Sequence, residues 1–189
     1  MKHLHKKSLL LLSLVVLFCS CATTREVIDM SSPYLSCKLD IRVSTDAGIK
    51  RLPGVVQLVK GEYLKVSLRA PILRSELGLF EYRPEQLILV DRKNRIYTAK
   101  FSNEIRVEYD NVVSFETIES LLLEGAEKRG KRKLSGLSLG WDIFGVETIK
   151  FSAFSSSPFR VREFSPSSRY EEVEFGLFIR ALQGQLSDL

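Results

Sequence analysis

Apolar and polar residues alternate strictly in KLDIRVS, residues 38–44. Leu39, Ile41 and Val43 point one way and Lys38, Asp40, Arg42 and Ser44 the other, the pattern of a strand with one face buried. YLKVSLR (63–69) repeats it, with Leu64, Val66 and Leu68 inward against Lys65, Ser67 and Arg69. Between them VVQLVKGEY (55–63) reads as a strand ending in a turn at Gly61. ELGLFEYRP (76–84) is a further strand that stops at Pro84, and QLILVDRKNRIYTAKF (86–101) reads as two strands joined by a turn at Lys93-Asn94. IRVEYD (105–110) alternates once more. QLILV is apolar on both sides, so both sides of that strand are expected to be covered. Short strands in series with tight turns describe an antiparallel meander.

The period then changes. Ser114 is a candidate N-cap for FETIESLLLEG (115–125), with Glu116 and Glu119 where the helix dipole favours anions. Phe115, Ile118, Leu121 and Leu122 fall on one side, and Gly125 is the expected stop. AEKRGKRKLSG (126–136) reads as a basic, glycine-broken loop. Strands are expected to resume with ETIKFSAF (147–154), PFRVREF (158–164) and YEEVEFGLFIRAL (170–182), where Val173, Phe175, Leu177 and Ile179 alternate. Roughly nine strands with one or two helices make an α+β chain dominated by antiparallel sheet.

The start of the chain carries a different signal. Lys2, His3, His5, Lys6 and Lys7 precede ten residues, Leu9 to Phe18, apolar except for Ser13. That run is too short to cross ~30 Å of hydrocarbon as a helix, and a basic head, short apolar middle and small-residue exit describe a secretory signal peptide. Phe18-Cys19-Ser20-Cys21 resembles a bacterial lipobox. Cleavage after small Ser20 leaves Cys21 to be acylated, as with palmitate, whereas cleavage before Cys19 would follow bulky Phe18. Removing 1–20 discards Lys2, Lys6 and Lys7 and no acid, so 28 basic residues become 25 against 23 acids and the net charge falls from +5 to +2. The basic balance therefore gives no case for a nucleic-acid partner.

Both histidines, His3 and His5, leave with that segment. Nucleophilic triads that need an imidazole are excluded from the remainder. With Cys21 blocked by lipid, Cys37 has no partner for an internal disulfide, and one thiol cannot build a zinc site. No phosphate-binding glycine loop is present. A pair of carboxylates among the 23 acids is the one catalytic arrangement left open, and the expectation is a protein that is not an enzyme, with no metal and no cofactor. After the signal peptide (1–20) come a lipidated N-terminus and tether (21–36), one β-rich domain (37–183) and a short tail (184–189). A short helical turn around Val27 to Met30 is allowed within the tether, which extended reaches at most ~50 Å. Ala22 and Thr23 follow Cys21 where inner-membrane retention would place an aspartate, so the expected location is the periplasmic side of the outer membrane, held by the lipid.

APILRSELGLFEYRPEQLILVDRKNRIYTAKFSN (70–103), followed at short distance by an apolar helix, resembles an envelope lipoprotein family of unassigned function related to the Lol-type carriers LolA and LolB. The likeness rests on the turn Ala70 to Ile72, the pair Leu77-Gly78, and the hairpin Asp91-Arg92, Asn94-Arg95, Tyr97. It implies a curved antiparallel sheet, an unclosed half-barrel, with one or two helices over its hollow, which in the relatives holds acyl chains. Leu39, Ile41, Val43, Leu64, Val66 and Leu68, with Leu121 and Leu122 of the helix, would then line the hollow. The same residues would equally fill a dry core.

By position, Ile72 and Leu73 match the exposed apolar loop that LolB-like acceptors use to deliver lipid, and a turn folded onto the core is the alternative. The basic run containing Lys128, Arg129, Lys131, Arg132 and Lys133 could meet anionic head groups or be a solvated loop. Trp141 and Phe144 could anchor to a membrane or simply pack. Two functions follow from different classes: binding of an acyl lipid or lipoprotein in the hollow, or a scaffold subunit that holds a protein partner in an envelope complex.

Overall fold

The computed structural model describes residues 27–45, 48–71, 73–101, 104, 113–128, 132–142 and 145–187. Six strands come first: β1 (Tyr34–Thr45), β2 (Gly48–Val59), β3 (Tyr63–Arg69), β4 (Glu76–Tyr82), β5 (Gln86–Asp91) and β6 (Ile96–Phe101). Helix α1 (Phe115–Glu127) follows, then β7 (Arg132–Ser135), a 3-10 turn (Leu137–Leu139), β8 (Val146–Ser155), the two-residue β9 (Glu171–Glu172) and helix α2 (Phe175–Ser187). The nine strands form one sheet in the order β7-β8-β1-β2-β3-β4-β5-β6-β9, so the fold is mixed α+β and the sheet is not closed into a barrel. Every pairing is antiparallel except β6 with β9. Both edge strands are very short: β9 pairs only with Ile96 and Tyr97 of β6, and β7 only with Thr148 to Phe151 of β8.

Register carries the period-two pattern across the sheet. Leu35 faces Leu58, which faces Leu64, then Tyr82 and Leu87; the next row runs Cys37, Val56, Val66, Phe80, Leu89. These rows belong to one apolar face, and both helices pack on it through Phe115, Ile118, Leu122 and Ala126 of α1 and Phe175, Phe178, Ile179, Leu182 and Leu186 of α2. On the opposite face Leu79 and Val90 sit side by side in register and are 0% and 1% exposed. The expectation that β5 is covered on both sides holds.

That second face is crossed by residues 156–170, which have no strand of their own apart from a turn at the end. Phe164 donates its backbone N–H to both carboxylate oxygens of Glu81, at 2.8 and 3.0 Å, and Lys65 Nζ donates to the Arg162 carbonyl at 2.6 Å. Arg83 pairs with Glu163 at 2.6 Å, and the Phe159 ring meets Tyr34 edge-on. The strand expected at 158–164 is therefore absent. The reason is geometric: the backbone groups of a sheet face are already used in the ladder, so a segment lying across it can be held only by side chains.

Further expectations need correction. YEEVEFGLFIRAL is not a strand beyond Glu172, because Phe175 begins α2, whose buried positions 175, 178, 179, 182 and 186 follow helical spacing while Leu177 is 49% exposed. That helix also takes in residues 184–187, expected as a tail. The 126–136 loop is instead the end of α1 followed by β7, whose register with β8 pairs Arg132 with Phe151 and Leu134 with Ile149. Gly125 does not stop α1. It lets the helix approach β8, since a Cβ there would lie 2.9 Å from the Phe154 ring.

The described part of the stretch expected as a tether, residues 27–36, also joins the body. Tyr34 opens β1, Asp29 N–H donates to Ser156 Oγ at 2.8 Å, and Lys60 N–H donates to the Pro33 carbonyl at 2.9 Å. Finally, β2 starts at Gly48, seven residues before the expected strand. Pro53 is accommodated because pairing with β3 reaches only to Gly54, so the proline sits where that side of β2 is an edge.

Candidate functional site

The apolar face is not filled everywhere. A cavity of about 30 Å³ lies between it and the helices, lined by Leu64, Val66, Phe80, Tyr82, Leu87 and Leu89 of the sheet, Ile118 of α1, Phe175 of α2, Val113 and the Gly140-Trp141 corner. Counted out through its open mouth, the atom-free space is about 480 Å³. Among the described residues no charged side chain lines it. At rest it has room for a water or two by the ~10–15 Å³ each requires, and an apolar wall gives water no partners. Tyr82 spends its hydroxyl on the Val113 carbonyl at 2.9 Å and turns its ring edge toward Phe115. Ser114 caps α1 as expected, accepting from Thr117 N–H at 3.3 Å, and so fixes where the wall of the cavity begins.

A second, smaller space of about 10 Å³ lies further along the strands, lined by Ile41, Val43, Leu52, Leu68, Val146, Leu182 and Leu186. Phe80 and Trp141 belong to both linings. Their rings stand between the two spaces with centroids 5.9 Å apart and planes tilted by 39°.

The expected lining residues divide accordingly. Leu64 and Val66 line the first space, and Ile41, Val43 and Leu68 the second. Leu39, Leu121 and Leu122 line neither: Leu39 and Leu122 are packed into the core at 3% and 1% exposure, and Leu121 is partly buried at its margin. The aromatic residues were missed as lining, although Trp141 had been singled out as an anchor or a packing residue. The signal for Tyr82, Leu87 and Leu89 was their place in register with Leu64 and Val66, which needs the strand pairing to be known.

The loop and basic residues lie elsewhere. Leu73 is 82% exposed in the turn between β3 and β4, beside Arg74 with φ 53°. Lys128 and Arg132 both pair with Glu124, holding its carboxyl below the usual range chiefly through their hydrogen bonds, so one of these two positive charges is offset. Lys133 is exposed. Cys21, Ile72, Lys131, Arg129, Phe144, the segment 1–20 and the strand expected at 105–110 lie outside the described residues.

The hairpin 91–97 is a structural hub. Asp91, fully buried, accepts from the backbone N–H groups of Lys93 and Asn94 and from Asn94 Nδ2 at 2.7 Å. With its amide nitrogen turned toward Asp91, Gln185 of α2 donates to the same carboxylate at 2.9 and 3.0 Å. Arg92 binds Glu76 at 2.8 Å and the Tyr170 hydroxyl at 2.9 Å and lies over the rings of Phe164 and Tyr170. One hairpin thus ties α2 to one face and the crossing segment to the other.

Two buried acids have raised pKa values. Burial pushes the Cys37 thiol up to about 12, and burial with the adjacent Glu81 carboxylate pushes the Tyr63 phenol up. Among the described residues no group of three or more His, Cys, Asp or Glu could hold a metal ion. Compared with known families and curated proteins, the chain matches no family model and no curated relative.

Proposed function

We propose that this chain is a non-catalytic envelope lipoprotein of the Lol type, acylated at Cys21 and held on the periplasmic side of the outer membrane, that takes an acyl chain between its sheet and helices. The observation that carries this reading is the uncharged cavity at Leu64, Val66 and Ile118, on the face where the LolA and LolB resemblance implies a hollow. The lipobox supplies the anchor, and a lipid ligand needs no covalent chemistry from a sequence without histidine after residue 5. A dozen carbons transferred from water would contribute on the order of 10 kcal/mol gross, at ~0.8 kcal/mol per CH₂, less the cost of ordering and association.

The scaffold reading is favoured by a different observation. Most of the apolar face is closed, with Leu39, Ile41, Leu52 and Ile149 at 3% exposure or less, as expected of a packed core that presents only its outside to a partner.

Native mass spectrometry of gently purified protein, with extraction of co-purified material, separates the two. A stoichiometric lipid that is lost when Leu64 is enlarged to Phe, in a variant that keeps its circular dichroism, supports the acyl reading. A clean apo mass and no uptake of added fatty acid or lipopeptide transfers the case to the scaffold.

A further inference from the structure

We infer that Trp141, packed on Phe80, is the partition that sets how long an acyl chain the protein accepts; this rests on the acyl-binding reading. The first cavity occupies the rows Leu64–Tyr82–Leu87 and Val66–Phe80–Leu89. The second begins beyond Phe80, at Leu68 and the pair Ile41–Leu52. The two spaces therefore follow one another along the strands, and among the described residues those common to both linings are the two aromatic rings.

A direction follows for the ligand. At the far end of the first cavity, Lys100 lies opposite Leu87 in register, on the same face and half-buried. It is a cation at the rim, placed to meet a carboxylate or another anionic head. The methyl end of the chain then points toward Trp141, and the second space, with about 290 Å³ counted to its mouth, lies behind the ring.

The partition is built to turn. Trp141 is half-buried, and it sits between Gly140, with φ 62°, and the β8 entry; its ring packs on Phe80, while its N–H donates to the Gly136 carbonyl at 2.9 Å and its carbonyl accepts from Val146 at 3.3 Å. Rotation about the side chain leaves both bonds intact.

The test uses the full protein in a bile-salt detergent, which carries no acyl chain, and a series of saturated fatty acids. In the unsubstituted protein affinity rises about fourfold per added methylene until the tip reaches Trp141, and then levels off. In Trp141→Ala the levelling-off moves out by several carbons, while Trp141→Phe, which keeps a ring on Phe80, leaves it in place. Because Trp141 is the single tryptophan, its fluorescence gives a second readout that needs no variant: 12-bromododecanoate quenches it strongly and 2-bromododecanoate weakly. The same break length in Trp141→Ala, or equal quenching by the two bromo acids, overturns the partition alone. Absence of fatty-acid uptake by the unsubstituted protein overturns both the partition and the acyl reading.

Discussion

One face of the sheet is covered by two helices mainly through apolar side chains, with Gln185 of α2 also bound to Asp91; the other is crossed by residues 156–170, held by directed bonds, above all those to the Glu81 carboxylate. On the helix side Phe178, Leu64 and Ile149 are at 2% exposure or less, and most of the cover is packing. On the other side Glu81, 2% exposed, takes the Phe164 N–H on both oxygens with Lys65 Nζ 3.5 Å away. The difference teaches how each cover can change. Apolar packing tolerates sliding and ring rotation at modest cost when volume is conserved, which suits a face proposed to admit a ligand. Directed bonds to a buried carboxylate are either made or broken, which suits a segment that must stay in place.

The most damaging way to break this contrast is to open the helix-covered core. Phe178→Ala should lower unfolding free energy by ~3–5 kcal/mol, read from urea titration; a loss below ~1 kcal/mol would mean that α2 is not part of one cooperative core. Glu81→Leu should cost less, ~1–3 kcal/mol for the unsatisfied donors it leaves. Its signature should be local: trypsin should cut at Arg160 and Arg162 well before the sheet unfolds, whereas Phe178→Ala should expose all sites together.

Alkaline titration sharpens the comparison further, because each face carries one buried weak acid whose pKa is raised, Cys37 on the helix side and Tyr63 on the other. Cys37 ionises near 9.0 when unfolded and about 12 when folded. Below pH 9 both states keep the proton and nothing changes. Above it the unfolded chain loses its proton first, so stability falls as pH rises, by at most ~1.4 kcal/mol per pH unit. Tyr63, whose phenol is also raised, adds a loss of the same sign above its ordinary value of 10.0. Cys37→Ala should remove the earlier step and Tyr63→Phe the later one in pH-dependent urea midpoints. The smallest effect is expected at Gly125→Ala, where a helix gain of ~1 kcal/mol is set against the 2.9 Å approach to Phe154; the thermal midpoint should move by only a few degrees.

Much of the sheet was legible because alternation states which side of a strand is buried without reference to any neighbour. Leu39, Ile41, Val43, Leu64, Val66 and Leu68 are all buried on the face assigned to them. Ser114 and the apolar side of α1 were equally local. The last helix was not, since Val173, Phe175, Leu177 and Ile179 fit a period of two while Phe175, Phe178, Ile179 and Leu182 fit a helix. That ambiguity is resolved only by the sheet beneath, whose strands already have their backbone partners and whose open apolar face takes a helix.

For the candidate site, the sequence supplied the inward residues but not which of them would meet. Leu39 and Leu64 carry the same local signal, yet one is sealed against Gly54 and Phe151 and the other lines a cavity. The roles of Trp141 and Glu81 were also beyond local reading, because each depends on a residue far away in the chain, Phe80 and Phe164. Period and composition determined the class of the fold, the inward face and the absence of imidazole after residue 5. Tertiary structure decided where packing is incomplete and what crosses the second face, because voids and buried carboxylates are properties of several segments together and have no period along one.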